Sequence, residues 1–177
     1  MRGRGKGDRE VWLQASHLPV CDAQGRLERV IIVATDVTAE RLRQADIEGQ
    51  VAAIGRSQAV IEFDLKGNIL HANDNFLQAT GYTLDEIRGR HHGLFCEPGY
   101  RDSSEYRMFW ERLGAGQYEA GQYKRLAKGG REIWIQASYN PIFDVNGKPF
   151  KVVKYAAEIT ADKLRAADHS GQLAAIG

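Results

Sequence analysis

The sequence predicts an α+β fold: a five-stranded antiparallel sheet with its helices on one face, preceded by a three-stranded half copy of the same domain and flanked by linker helices. Three observations predict it. First, Arg9-Glu10-Val11-Trp12-Leu13-Gln14-Ala15-Ser16 returns 122 residues later as Arg131-Glu132-Ile133-Trp134-Ile135-Gln136-Ala137-Ser138. The offset holds without a gap from Lys6/Lys128 to Gly55/Gly177, and 25 of the 50 aligned positions are identical. Second, runs of period-two apolar residues flank a block with helical spacing. Third, the turns between those runs are rich in Gly and Asn at hairpin spacing. A period of this length is too long for a solenoid unit and suits a self-contained domain. Residues 6–48 then read as the back half of one unit and 49–170 as a complete one. The chain looks like a piece of a longer tandem array.

Within the complete unit, Ala59 to Leu65 alternates and reads as a strand. Lys66-Gly67-Asn68 is a turn, and Ile69 to Asn73 is the second strand of a hairpin. Asp74 opens a short helix carrying Phe76 and Leu77, ended by Gly81. Thr83-Leu84-Asp85-Glu86 is a capping box, in which hydroxyl and carboxylate satisfy the amides of the first turn; Gly89 stops that helix. His91 to Tyr100 reads as irregular. Asp102-Ser103-Ser104-Glu105 starts a third helix, with Tyr106, Phe109, Trp110 and Leu113 on one face, and Gly114-Ala115-Gly116 breaks it. Three strands follow, Tyr118–Leu126, Arg131–Phe143 and Phe150–Ile159, the last two joined by Asp144-Val145-Asn146-Gly147. Helix resumes at Thr160. The order is β-β-α-α-α-β-β-β-α.

Composition narrows the function. Hydrophobic residues are 43% and charged residues 27% of the chain, enough for a packed core. Lys+Arg is 24 against 23 Asp+Glu, a net charge of +1, so bulk charge drives no nucleic-acid binding. The basic start, Met1 to Lys6, is short, Gly-rich and without aromatic residues. The longest apolar run, Val30 to Ala34, is far below the roughly 18 residues of a membrane span, so no direct membrane insertion is expected. Cys21 and Cys96 lie in unrelated contexts, which excludes a CxxC site. Both read as buried free thiols, and the expected location is cytoplasmic. No nucleophile elbow, phosphate loop, HExxH or kinase phosphoacceptor motif is present, so no enzyme activity and no metal site are expected.

The element order and a set of marks resemble the PAS sensor family. The marks are Asp64-Leu65-Lys66-Gly67-Asn68-Ile69-Leu70, Asn75-Phe76, Gly81-Tyr82, Gly89-Arg90, Trp134, Pro141-Ile142-x-Asp144-x-x-Gly147 and Glu158-Ile159-Thr160. The likeness covers 56–160 and, for its last three strands, 6–38. The run from Ala59 to Phe95 looks most like the tandem PAS type of bacterial methyl-accepting chemotaxis receptors of the biofilm-dispersion kind. This resemblance implies the following organisation: 1–38, the C-terminal half of a PAS domain; 39–55, a linker helix; 56–160, a complete PAS domain; 161–177, a linker helix leading to a further repeat.

The resemblance also implies a pocket between sheet and helices for a small ligand or cofactor. Its candidates here are Phe76, His91, His92, Phe95, Trp110, Ile135 and Tyr139; Ile133, Ile135, Ala137 and Tyr139 share one strand face. Plain core is the competing reading of the same stripe. Haem b and FAD are the cofactors left open: His91 or His92 would ligate haem iron if haem is bound, and Trp110 would wall an isoalloxazine ring. FMN photochemistry is argued against, because Gly89-Arg90-His91-His92 puts His92 where blue-light modules carry their reactive Cys, and Ile135 and Ala156 replace the flavin-contacting amides. The signal exits are Asp36-Val37-Thr38 and Glu158-Ile159-Thr160, which resemble the family's Asp-x-Thr junction, with Glu158 departing from Asp. Thr38 and Thr160 are good helix N-caps. The implied function is to sense a small ligand, oxygen or redox state and relay it through the C-terminal helix. Partners would be other PAS units of the chain or a homodimer partner, and a downstream chemotaxis signalling region. A cofactor-free scaffold for protein–protein assembly is the alternative. From Ala39 to Ala53 the linker has only Leu42, Ile47 and Val51 as larger apolar residues, too few for a stable two-stranded coil.

Overall fold

The computed structural model describes residues 2–4, 7 and 9–166. The chain divides into two compact units, Met1–Ala53 and Ile54–Gly177.

The second unit is the five-stranded antiparallel sheet. Its strands are β4 (Ala59–Phe63), β5 (Ile69–Ala72), β6 (Glu119–Leu126), β7 (Glu132–Phe143) and β8 (Pro149–Glu158), in the order β5-β4-β8-β7-β6. The first and last strands of this unit meet inside the sheet: β4 pairs with β8 through Ala59↔Ala156 and Phe63↔Val152. Helices α2 (Asp74–Thr80), α3 (Leu84–Ile87), α4 (Pro98–Arg101) and α5 (Ser104–Gly114) form the crossover between β5 and β6. The period of two sends Ile133, Ile135, Ala137 and Tyr139 of β7 and Val152, Lys154 and Ala156 of β8 inward, all at most 6% exposed. Against them lie Phe76, Ile87, Phe95, Tyr106, Phe109 and Leu113.

Local chemistry sets the crossover. Asn73 caps α2, its side chain accepting from Phe76 N at 3.0 Å and from Val60 N at 2.8 Å while donating to Gly55 O and Gln58 O. Gly81 ends α2 in the left-handed region. At α3 the Glu86 carboxylate accepts from the Thr83 amide at 2.8 Å; the Thr83 hydroxyl donates to that carboxylate. Ser103 caps α5, accepting from Tyr106 N at 3.1 Å. The 91–100 segment is more ordered than its sequence suggests, with a 3-10 turn at His92–Phe95 and the single-turn α4 started by Pro98. Gly67 holds φ 85° where a Cβ would sit 2.7 Å from His91 Nε2 and 2.8 Å from Trp110, so only glycine lets the β4–β5 turn close onto those rings.

In the first unit β1 (Arg2–Arg4), β2 (Glu10–Cys21) and β3 (Leu27–Asp36) form a sheet in that order. The sequence repeat is a repeat of register: Leu13↔Asp36 and Arg2↔Trp12 match Ile135↔Glu158 and Lys124↔Trp134 at the same offset. Every residue of β3 is exposed. Helix α1 (Thr38–Ser57) follows and buries no residue. Cys96 is buried as expected, but Cys21 is exposed, because it sits at the open end of β2.

Candidate functional site

A cleft opens between the sheet and α2. Phe76 and Thr80 come from α2, Phe95 from the 3-10 turn, Arg125 from β6, Ile133 and Ile135 from β7, and Lys154, Ala156 and Glu158 from β8. It is narrow, with a cavity of about 20 Å³, room for about one water. Most of the lining is apolar. Its polar members are Thr80, Glu158 and two buried basic side chains, Arg125, 5% exposed, and Lys154, 1% exposed. Arg125 Nη1 donates to Lys124 O at 2.8 Å. Its guanidinium lies over the Tyr123 ring at 4.7 Å. Lys154 Nζ lies 5.0 Å over Tyr139 and 5.7 Å over Phe76. Burial, then the charge of Arg125, holds the Lys154 amine well below the usual lysine value.

Behind the cleft, His92 is fully buried between two tyrosines. Its Nδ1 shares a proton with the Tyr106 hydroxyl at 2.8 Å, its Nε2 with the Tyr139 hydroxyl at 3.0 Å. Burial, then Lys154 and Arg125, push its pKa well below the usual histidine value, so the ring is neutral. Phe63, Trp110, Phe95 and Phe109 surround it, at centroid separations of 5.4, 5.5, 6.2 and 6.3 Å. Burial raises the Cys96 thiol, whose sulfur is 3.7 Å from His92 Nδ1.

Of the seven pocket residues expected from sequence, Phe76, Phe95 and Ile135 line the cleft. His92 and Tyr139 form the core beneath it. His91 and Trp110 lie at a different groove beside Lys66 and Tyr106. The exposed His91 donates from Nε2 to Lys66 O at 2.8 Å and accepts from Gly93 N on Nδ1 at 3.1 Å. The sequence reading missed Arg125 and Lys154. The signal for one was present: Lys154 interrupts the apolar run Val152 to Ala157, and its counterpart in the half copy is Ile32.

The two strand-to-helix junctions are built alike. Thr160 Oγ1 accepts from Trp134 N at 3.0 Å and donates to Glu158 Oε1 at 2.9 Å. Thr38 Oγ1 accepts from Trp12 N at 2.7 Å, and Thr38 N donates to Asp36 Oδ1 at 2.9 Å. Lys163 lies 5.0 Å over the Trp134 ring, and Arg41 4.6 Å over Trp12. These threonine oxygens therefore tie the helix start to the neighbouring strand's tryptophan amide, where the sequence suggested a cap on the helix's own amides.

Residues 69–156 match the family model described as PAS fold. That segment is a PAS domain. The chain is 45% identical over 157 residues to the biofilm dispersion protein BdlA of Pseudomonas aeruginosa, covering 89% of this chain and 37% of that protein. It is 34% identical over 79 residues to the aerotaxis receptor of Escherichia coli, covering 45% of this chain and 15% of the receptor. A light-oxygen-voltage domain, 20% identical, superposes with a TM-score of 0.55 over 70% of this chain and 94% of its own. The PAS domain of a Colwellia psychrerythraea protein, 21% identical, gives 0.56 over 65% and 98%. The chain thus spans little more than a third of the first relative's length.

Haem and flavin are cofactors that the PAS resemblance brings to mind, and the packing tests them. Both ring nitrogens of His92 and of His91 are hydrogen-bonded. Trp110 packs against Phe63, Phe109 and His92 at 5.5, 5.7 and 5.5 Å, and Phe109 against Tyr139 at 4.9 Å. Interlocked edge-to-face rings at these spacings leave no slot for a planar macrocycle or an isoalloxazine. The residues as packed do not fit either group.

Proposed function

We propose that this chain is a PAS sensory module of a bacterial chemotaxis-type signalling protein, binding a small ligand in the cleft and relaying its presence through the helix that begins at Thr160. Residues 56–160 are the complete sensor, 1–38 the C-terminal half of another, and 39–55 a connecting helix; a second connecting helix continues from 161, and the part of it expected over 167–177 lies outside the described residues. The observation that carries this reading is that cleft and exit share one strand. Lys154, Ala156 and Glu158 of β8 all line the cleft, and Glu158 accepts the Thr160 hydroxyl at the helix start. Anything that moves β8 moves that junction. The names of the relatives, a dispersion protein and an aerotaxis receptor, support a sensory rather than an enzymatic role. No helix among the described residues is long and apolar enough to cross a membrane. The reading places this segment in the cytoplasm. Filling the cleft tests it. Ala156→Leu should change amide exchange across 158–166 while leaving α3 unchanged. Unaltered exchange at the exit in a folded variant would end the relay reading.

The second reading is a scaffold for assembly. It is favoured by the exposed apolar side chains Val30, Ile31, Ile32 and Val33 of β3. A protein that stays monomeric by light scattering at high concentration would count against it.

A further inference from the structure

The junction of β3 with α1 and that of β8 with the helix from Thr160 use the same four side chains. In the second unit the junction closes on Trp134. Its carbonyl accepts from Ile159 N at 2.8 Å, its amide donates to Thr160 Oγ1 at 3.0 Å, and its ring carries the Lys163 amine at 5.0 Å. In the first unit Trp12 does the same for Val37 N, Thr38 Oγ1 and the Arg41 guanidinium, at 2.8, 2.7 and 4.6 Å. The spacing is identical: 26 residues from tryptophan to threonine, and three more to the cation. Half of the aligned positions differ between the copies, yet all four junction positions keep their chemistry. Trp and Thr are unchanged, Asp36 is matched by Glu158, and Arg41 by Lys163. Core packing does not explain this, because the contact also forms in the first unit, where every residue of β3 is exposed. Nor does apolar packing aim the helices. α1 buries no residue, and of residues 161–166 only Lys163 is partly buried.

We propose that Trp12 with Arg41 and Trp134 with Lys163 are latches that set the direction in which each helix leaves its sheet, and that the second latch is the joint worked by the relay. A single hydrogen bond at Thr160 fixes where the helix starts but leaves it free to swing. Lys163 is three residues on, so it lies on the same side of the helix and gives a second contact with the same tryptophan. Two points of contact define a direction. The ring face accepts either cation, which is why Arg and Lys stand in for each other between the copies. Such a contact is weak when partly exposed, and so suits a joint that opens. Thr160 bridges Glu158 on β8 and Trp134 on β7. A shift of β8 against β7 therefore pulls on the threonine and draws Lys163 off the ring. The proposal rests on the relay reading and names the residues that carry it at the junction.

The test is solution NMR and amide exchange on the 177-residue protein. In the wild type, the ε-methylene of Lys163 should be shifted upfield by the Trp134 ring. Lys163→Gln removes the cation while keeping a good helix former. It should speed exchange of amides 163–166 about two- to fivefold, with β7 and α5 unchanged. Lys163→Arg installs the cation of the other copy and should restore the protection. An unshifted methylene in folded protein, exchange in Lys163→Gln equal to wild type, or no recovery in Lys163→Arg would each overturn the latch. Ala156→Leu separates the latch from the relay. The expected result is altered exchange at 158–166 together with movement of the methylene toward its unshifted position. Altered exchange with the methylene unmoved would leave the relay and remove the latch from it. Unaltered exchange would end the relay and leave the latch as a fixed joint.

Discussion

At the scale of single residues, the polar groups inside the core set how stability responds to pH. His92 is the clearest case. Its folded pKa lies well below 6.5, so the unfolded chain binds the proton first as pH falls. The stability it contributes is complete above 6.5 and is lost below it. Tyr106, Tyr139 and Cys96, which face it, are held protonated and neutral through that window by burial. Wild-type protein should therefore melt at lower urea at pH 5.5 than at pH 7.5, and His92→Phe should flatten that difference. His92→Phe should also cost about 2–5 kcal/mol at neutral pH, because it strands two buried tyrosine hydroxyls. Urea melts at both pH values check both statements; equal slopes in the two proteins would refute the first. Lys154 gives the opposite mutational sign. Its folded pKa is depressed below 10.5, so its stability is complete only above that value and is lost as pH falls toward the folded pKa. At neutral pH Lys154→Met should stabilise the domain, and the gap from wild type should narrow as pH rises toward 10.

At the scale of elements, the exits make the sharpest prediction. Thr160 joins three elements through one oxygen: it accepts from Trp134 N of β7 and donates to Glu158 of β8 at the start of the exit helix. Thr160→Val keeps the shape and removes both bonds. It should cost about 1 kcal/mol and speed amide exchange across 160–166, with the protection of α5 unchanged. Loss of protection throughout the domain would mean that the residue supports the fold rather than the exit. Much of this layer was legible in the sequence, and for physical reasons. Hairpins are announced by residues that tolerate turn geometry, as at Asp144 to Gly147, where Asp144 Oδ1 accepts from Asn146 N and Lys148 N at 2.8 and 2.9 Å. The buried face of α5 is announced by Tyr106, Phe109, Trp110 and Leu113 at helical spacing. What was not legible depended on contacts across elements. That His92 faces the core and His91 the surface is decided by the turn at 92–95, which no periodicity predicts. Arg125 alternates with Lys124 in a polar strand, and only the register Arg125↔Ile133 shows which of the two is buried.

At the scale of the whole molecule, the chain holds two copies of one strand pair in different surroundings. β2 and β3 repeat β7 and β8 in sequence and in register. In the complete domain β8 is flanked by β7 and β4, and Val152 and Val153 are 0% and 6% exposed. In the first unit β3 pairs, among the described residues, with β2 alone, and the matching Val30 and Ile31 are 47% and 44% exposed. Half of the aligned residues are identical, so strand propensity is nearly the same in both. What differs is burial, at roughly 25 cal/mol per Å² of apolar surface, and the second strand neighbour. A three-stranded sheet with one bare face is marginal by itself. Amides across 10–36 should therefore exchange orders of magnitude faster than those across 132–158 in dilute protein shown to be monomeric by light scattering. Raising the concentration should slow exchange in 10–36 only if copies associate through that face. Equal protection of the two segments in the monomer would show that the strand pair carries its stability within itself, and that the helices and β4 contribute little to it.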